Sequence, residues 1–186
     1  WKYEGLVVEP DEVNNPDEMN GQSAMWLGRL GVAALEDGTY ALLVQHEFST
    51  DGSGDKETMN KQVLVLTSDS LTGEFTWNNR ISMKSYIGTS NTGDQTVFVD
   101  PDTGKGYLLY SYGDGRGRMY LSEIIKGDDG KVTLGEAMEI YHGDGREGNC
   151  MFKYNGKYYV CASDLFGWNA SHAYYQRDQK HIHNIC

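Results

Sequence analysis

Proline and cysteine are both scarce, three of each in 186 residues. Cys150, Cys161 and Cys186 are too few for a disulfide scaffold. Basic side chains are also in deficit: 16 Lys and Arg stand against 27 Asp and Glu, for a net charge of −11. Phosphate backbones and anionic lipid surfaces need a basic face, so neither a nucleic acid nor a membrane surface is expected as partner. No stretch approaches the ~18 consecutive apolar residues of a membrane-crossing helix. Helical periodicity with caps at both ends is missing. So is a basic segment leading into an apolar one at the start, where the chain opens on Trp1 rather than Met. The sequence therefore reads as a processed product, a recombinant piece or a fragment, and its composition assigns no compartment.

Strand signals fill the chain instead. AMWLGRLGVAAL, TYALLVQHEF, KQVLVLTSDS, TVFVD, GYLLYSY, GRMYLSEII, NCMFKY and KYYVCAS are short apolar runs, many of them rich in Val, Tyr, Phe and Leu. Asp37-Gly38, the Pro101–Gly104 turn, Asp114-Gly115, Asp129-Gly130 and Asn155-Gly156 lie between them and supply the positive φ of tight hairpins. An Asn155-Gly156 type I′ turn sets Tyr154 opposite Lys157 and, counting outward, Cys150 opposite Cys161. At about 5.5 Å between Cα atoms a disulfide there is within reach, but two neighbouring core thiols fit free cysteine better. His181, His183 and Cys186 are metal-ligand types at a frayed end, read as a disordered or artificial terminus.

The runs repeat one plan. In GVAALEDGTYALLVQHE, TVFVDPDTGKGYLLYSY and MFKYNGKYYVCAS an apolar strand meets a turn ending in Gly, then an aromatic-rich strand. Gly38, Gly104 and Gly156 recur near the ~40–50-residue period of a four-stranded propeller blade, the first interval stretched by the polar insertion Ser49–Asn60. The expected architecture is an all-β, incomplete β-propeller with two full and two partial blades. Residues 1–23, including WKYEGLVV, end a preceding blade; 24–82 and 94–142 form blades; 149–186 begin another.

In a propeller the first strand of each blade lines the axis, and the residues before it crowd one mouth. Glu147 precedes the first strand of the third blade, Asp94 holds the corresponding place in the second, and Arg29 aligns with Glu147 when Gly38 is set on Gly156. Two carboxylates converging on a pocket suit glycosidic hydrolysis, one donating a proton and the other activating water or attacking. The plainer alternative is that both cap turns or pair with Arg29 and Arg146. Arg29, Arg146 and His46 complete the candidate sugar contacts. No metal or cofactor is expected.

DQTVFVDPDTGKGYLLYS, followed by REGNCMFKYNGKYYVCASDLFGWN, resembles family 43 glycoside hydrolases, and SDSLTGEF matches a recurrent phrase of that family. The resemblance runs from about Trp26 to Tyr175. It implies a five-bladed propeller that cleaves by inversion, a polysaccharide side chain of galactan, arabinan or xylan type as substrate, and a secreted or periplasmic setting. The Gly167-Trp168 pair points to the exo-β-1,3-galactanase branch. By that resemblance Glu147 matches the general acid, Asp94 the carboxylate that orients the acid and tunes its pKa, and Trp168 a sugar-contacting aromatic. Trp168 fits a plug between blades nearly as well. The branch usually has a carboxylate or His at Gly28, an Arg at Gly93, and Ala-Pro at Gly148-Asn149. Glu47 and Asp51 are available carboxylates, but no motif makes either the base. A glycan-binding propeller without its general base is the alternative function.

Overall fold

The computed structural model describes residues 2–3, 5–9, 13, 24–49, 59–89, 92–112, 115–167 and 169–178. The first sheet runs in order through β1 (Ala24–Ala34), β2 (Tyr40–Ser49), β3 (Met59–Ser68) and β4 (Thr76–Ile81), all antiparallel. A one-turn helix, α1 (Lys84–Ile87), leads to the second sheet of β5 (Thr92–Val99), β6 (Gly106–Tyr112) and β7 (Arg118–Lys126). Its outer strand is split: β8 (Val132–Leu134) and β9 (Met138–His142) both pair with β7. The third sheet holds β10 (Arg146–Tyr154), β11 (Lys157–Asp164) and β12 (Ala173–Asp178), the last of which the strand pattern did not anticipate. β5 packs between β1 and β10, so the first strands gather at one axis.

The continuous apolar runs have a simple cause. Successive side chains point to opposite faces, and a sheet covered on both faces needs apolar residues at every position. Ala41, Leu43, Val63 and Val65 face the second sheet, where they meet Leu108, Tyr110, Tyr120 and Ile124. Their neighbours Leu42, Val44, Leu64 and Leu66 turn the other way, onto Phe75 and Val13. Tyr107 and Leu109 likewise face the third sheet with Phe98, Leu121 and Tyr158. The expected strand of a preceding blade in WKYEGLVV is not there among described residues 2–3 and 5–9. That segment caps the first sheet, the Val7 carbonyl accepting from the Phe75 N–H at 2.8 Å and Val8 packing on the apolar face.

The sheets approach closely near the axis. A Cβ at Gly31 would lie 2.7 Å from Val97 Cβ and 3.0 Å from its backbone nitrogen. Val97 is β-branched and stiff, and its backbone cannot retreat without disturbing β5. Gly31→Ala is expected to cost about 1–3 kcal/mol through overpacking, read as a lower urea midpoint at unchanged m-value; an unchanged midpoint would refute the contact.

His46, expected at the sugar site, is fully buried in β2 and offers no surface to a ligand. Burial, followed by the charge of Arg80, lowers its pKa from 6.5 to about 4. Between those values the unfolded chain takes up a proton here that the folded chain refuses, so stability falls as pH falls through that window. The loss should be on the order of 2–3 kcal/mol. A His46→Gln variant should show that much less pH dependence in its urea midpoint between pH 6.5 and 4; equal slopes in both proteins would rule the effect out.

Asn155 (φ 48°) and Gly156 (φ 70°) form the two-residue turn, with Tyr154 opposite Lys157 and Cys150 opposite Cys161. Both cysteines are free thiols. They are not core residues: Cys150 is exposed and Cys161 half-buried, because this face of the third sheet meets no further sheet among the described residues. Phe152, Tyr154 and Tyr175 are exposed there too, and Phe152 stacks on Tyr159 at 5.2 Å. Even so, burial and then the neighbouring Cys150 raise the pKa of Cys161. His181, His183 and Cys186 lie outside the described residues.

Candidate active site

Each first strand carries an extra residue at the same height. In β1, Gly28 pairs with Gln45 and Leu30 with Val44, leaving Arg29 unpaired at φ 40°. In β5 the register slips across Gly93-Asp94, and in β10 across Gly148-Asn149. The stretches from bulge to turn, Leu30–Ala34, Gln95–Val99 and Cys150–Tyr154, are equal in length. The bulges therefore put Gly28-Arg29, Gly93-Asp94 and Gly148-Asn149 in equivalent places. A bulge bends its strand and re-aims the side chain it carries.

This changes the alignment expected from the turn glycines. Arg29, Asp94 and Glu147 lie inside their strands, not ahead of them, and Asp94 corresponds to Asn149 rather than Glu147. The hairpin turns differ in length: 100–105 closes the second sheet's hairpin, whereas two residues close the third's. Counting from a turn glycine therefore slips the register.

Bulges free backbone groups, and side chains from the paired strand and from neighbouring blades satisfy them here. The buried Gln45 donates its Nε2 to the Gly93 carbonyl at 2.7 Å. The Asp94 carbonyl accepts from Asn149 Nδ2 at 3.0 Å and from Ser111 Oγ at 3.3 Å. In return the Asp94 carboxylate accepts the Gly148 N–H, which the φ of 62° at Gly148 accompanies. Arg29 donates to both Asp94 oxygens, Nε at 3.1 Å and Nη2 at 3.4 Å. Asp94 is thus nearly sealed, its side chain only 5% exposed, and three blades converge on it.

Glu147 stands beside this group. Its Oε2 accepts from Arg116 Nη1 at 3.2 Å, and the same nitrogen lies 3.3 Å from Asp94 Oδ1. The other oxygen, Oε1, accepts the Phe166 N–H at 3.1 Å. One guanidinium nitrogen thus joins two carboxylates from different blades, offsetting their mutual repulsion. Glu147 keeps 16% of its side chain exposed against 5% for Asp94, so it is the more accessible of the two.

The other candidates fall elsewhere. Arg146 is drawn away from the group by alternation along β10. Its Nη1 sits 3.0 Å from Asp164 Oδ1, and its guanidinium lies 4.2 Å from the centre of the Tyr174 ring. Trp168 and Asp51 lie outside the described residues, as does the side chain of Glu47. No group of three or more His, Cys, Asp or Glu side chains suited to a metal occurs among the described residues.

Arg116 is not among the candidates that the sequence offers. It lies in the connection between β6 and β7, in the run Gly-Asp-Gly-Arg-Gly-Arg. A signal did exist. In antiparallel strands, the start of a blade's first strand and the link from its second to its third lie at the same end. That geometry selects the β6–β7 connection and the β11–β12 connection, which supply Arg116 and the Phe166 N–H.

A family model, glycosyl hydrolases family 43, matches residues 10–183. A search of curated proteins finds no match. Among solved structures, an exo-β-1,3-galactanase from Clostridium thermocellum is similar over 97% of this chain and 37% of its own, with 23% identity and a TM-score of 0.71. A family 43 β-1,3-galactosidase matches over 84% of this chain and 30% of its own, also at 23% identity, with a TM-score of 0.60. An α-L-arabinofuranosidase from Clostridium thermocellum matches over 97% and 54%, at 23% identity and a TM-score of 0.55. The fold is that of these β-propellers, and the chain spans about a third to a half of their length.

Proposed function

Since this chain belongs to glycosyl hydrolases family 43, we propose that it carries the acid side of a glycosidase active site that works by inversion. Glu147 is the general acid. It hands a proton to the glycosidic oxygen as the bond to the anomeric carbon breaks, while a water attacks from the opposite face of the ring. Asp94 is the fixed carboxylate beside it, held by Arg29 and the Gly148 N–H, and it sets the acid's position and charge environment. Arg29, whose side chain is 46% exposed beside Asp94, is the sugar contact retained from the sequence. The base that activates the water is assigned to no residue here. The observation that carries this reading is the meeting of Asp94 and Glu147 on one nitrogen of Arg116.

The substrate class we infer is a neutral polysaccharide side chain of galactan, arabinan or xylan type. The acidic composition suits an uncharged ligand, and the similar structures include galactan-, galactoside- and arabinofuranoside-cleaving enzymes. The test is hydrolysis of galactan, arabinan and aryl glycosides by the full-length protein and its Glu147→Gln variant. Undiminished turnover in the variant would remove Glu147 from the role. Oligosaccharide binding without product in the wild type would replace the reading by a non-catalytic glycan-binding propeller.

A further inference from the structure

We propose that Arg116 is a positioning residue, whose guanidinium sets the Glu147 carboxyl against Asp94 from the β6–β7 connection. This rests on the glycosidase reading above.

Three features build the seat. First, Arg116 is one of only three non-glycine residues with positive φ among the described residues, at 48°. A backbone held in that region is costly for a residue with a Cβ and persists where surrounding structure over-determines it. Here the Arg116 carbonyl accepts the Arg146 N–H at 3.0 Å, and the Gly117 carbonyl accepts the Gly143 N–H at 2.9 Å. The connection is therefore stitched to the start of β10, the strand that carries Glu147. Second, Gly93 leaves the space the side chain occupies. A Cβ there would lie 3.1 Å from both Cγ and Nε of Arg116 and 2.5 Å from Ser111 Oγ. Third, Asp94 is already neutralised by Arg29, whereas Arg116 is the cation in ion-pair reach of Glu147 among the described residues. Removing it costs Asp94 one of two guanidinium partners but leaves the Glu147 carboxylate with only the Phe166 N–H among the described residues.

A carboxyl held by one donor rotates about its last side-chain bond; one held on both oxygens does not. Proton transfer in the transition state depends on that orientation, and small misplacements lower the rate without changing how tightly substrate binds. In the full-length protein Arg116→Ala is expected to lower kcat about 10–100-fold with KM changed less than about 3-fold. Arg116→Lys should recover most of the rate, and added guanidinium ion should recover part of it in Arg116→Ala. Unchanged kcat, or a loss confined to KM, would overturn the proposal. Arg116→Gln serves if the alanine variant fails to fold.

A second readout needs no catalysis. The Phe166 and Gly148 amide protons donate to Glu147 and Asp94 respectively, so their NMR resonances report on both carboxylates. Both should move upfield in Arg116→Ala and stay near wild-type values in Arg116→Lys. If the wild type hydrolyses nothing, the glycosidase reading fails by itself, and the amide signals decide this one: resonances unmoved in Arg116→Ala would sink it.

Discussion

Glu147→Gln is expected to lower kcat on unactivated glycosides by about 10²–10⁴-fold, the usual worth of a general acid. The substitution keeps the shape of the side chain. Its amide oxygen can still accept the Phe166 N–H that now reaches Oε1 at 3.1 Å. Its amide nitrogen then points its hydrogens at Arg116 where Oε2 accepted at 3.2 Å, and it has no proton to give. Leaving-group chemistry separates lost proton donation from lost structure. Dinitrophenolate departs without protonation, so hydrolysis of a dinitrophenyl glycoside should fall far less than that of galactan or a nitrophenyl-free substrate. Equal losses on both would mean that the variant damages the fold or the binding of sugar, and no loss on either would remove Glu147 from the chemistry.

The largest effect on stability is expected at the opposite end of the sheets. Asp100, at the close of β5, has a side chain 1% exposed, and the Lys153 side chain reaching it from β10 is 7% exposed. Lys153 Nζ donates to Asp100 Oδ1 at 3.2 Å and to Tyr158 Oη at 2.8 Å, and also pairs with Asp102. The Tyr158 hydroxyl donates to Asp100 Oδ2 at 3.0 Å, and Thr103 Oγ1 donates to the same oxygen at 3.1 Å. This network ties the second sheet to the third. Lys153→Met leaves the buried Asp100 charge without its cation and should cost about 3–5 kcal/mol. Asp102→Asn removes an exposed partner and should cost less than about 1 kcal/mol. Urea unfolding of the two variants checks the contrast, and similar midpoints would contradict it. Burial by itself would raise the pKa of Asp100. The Asp102 N–H, Tyr158, Lys153 and Thr103 hydrogen bonds outweigh it and hold the group below 3.8. The stability it contributes is therefore present above that pH and is lost as pH falls below it.

Most strands were legible because they depend on local patterns, whereas β12 was not and the strand expected in WKYEGLVV is absent among the described residues. Apolar residues at every position of ALLV, LVL and YLLY require cover on both faces, which only stacked sheets provide. The hairpin at Asn155-Gly156, and with it the Cys150–Cys161 pairing, follows from one turn type. The repeat Gly28-Arg29, Gly93-Asp94 and Gly148-Asn149 was also present as LGRL, TGDQ and EGNC. Counting from turn glycines hides it, because turn lengths differ between the hairpins.

What the amino-acid order determined by itself was the strand content, the turns and the nomination of Asp94, Glu147 and Arg29 for one end of the fold, since period-2 patterning and turn chemistry act over a few residues. Tertiary structure alone decided which cation joins the two carboxylates. Arg116 is 31 residues from Glu147, and its reach depends on a bulge, a glycine without a Cβ and a connection stitched to the next blade. It likewise decided that His46 is core and that Arg146 belongs to Asp164 and Tyr174. A side chain's burial and partners are properties of the packed sheets around it, and those form only when distant segments meet.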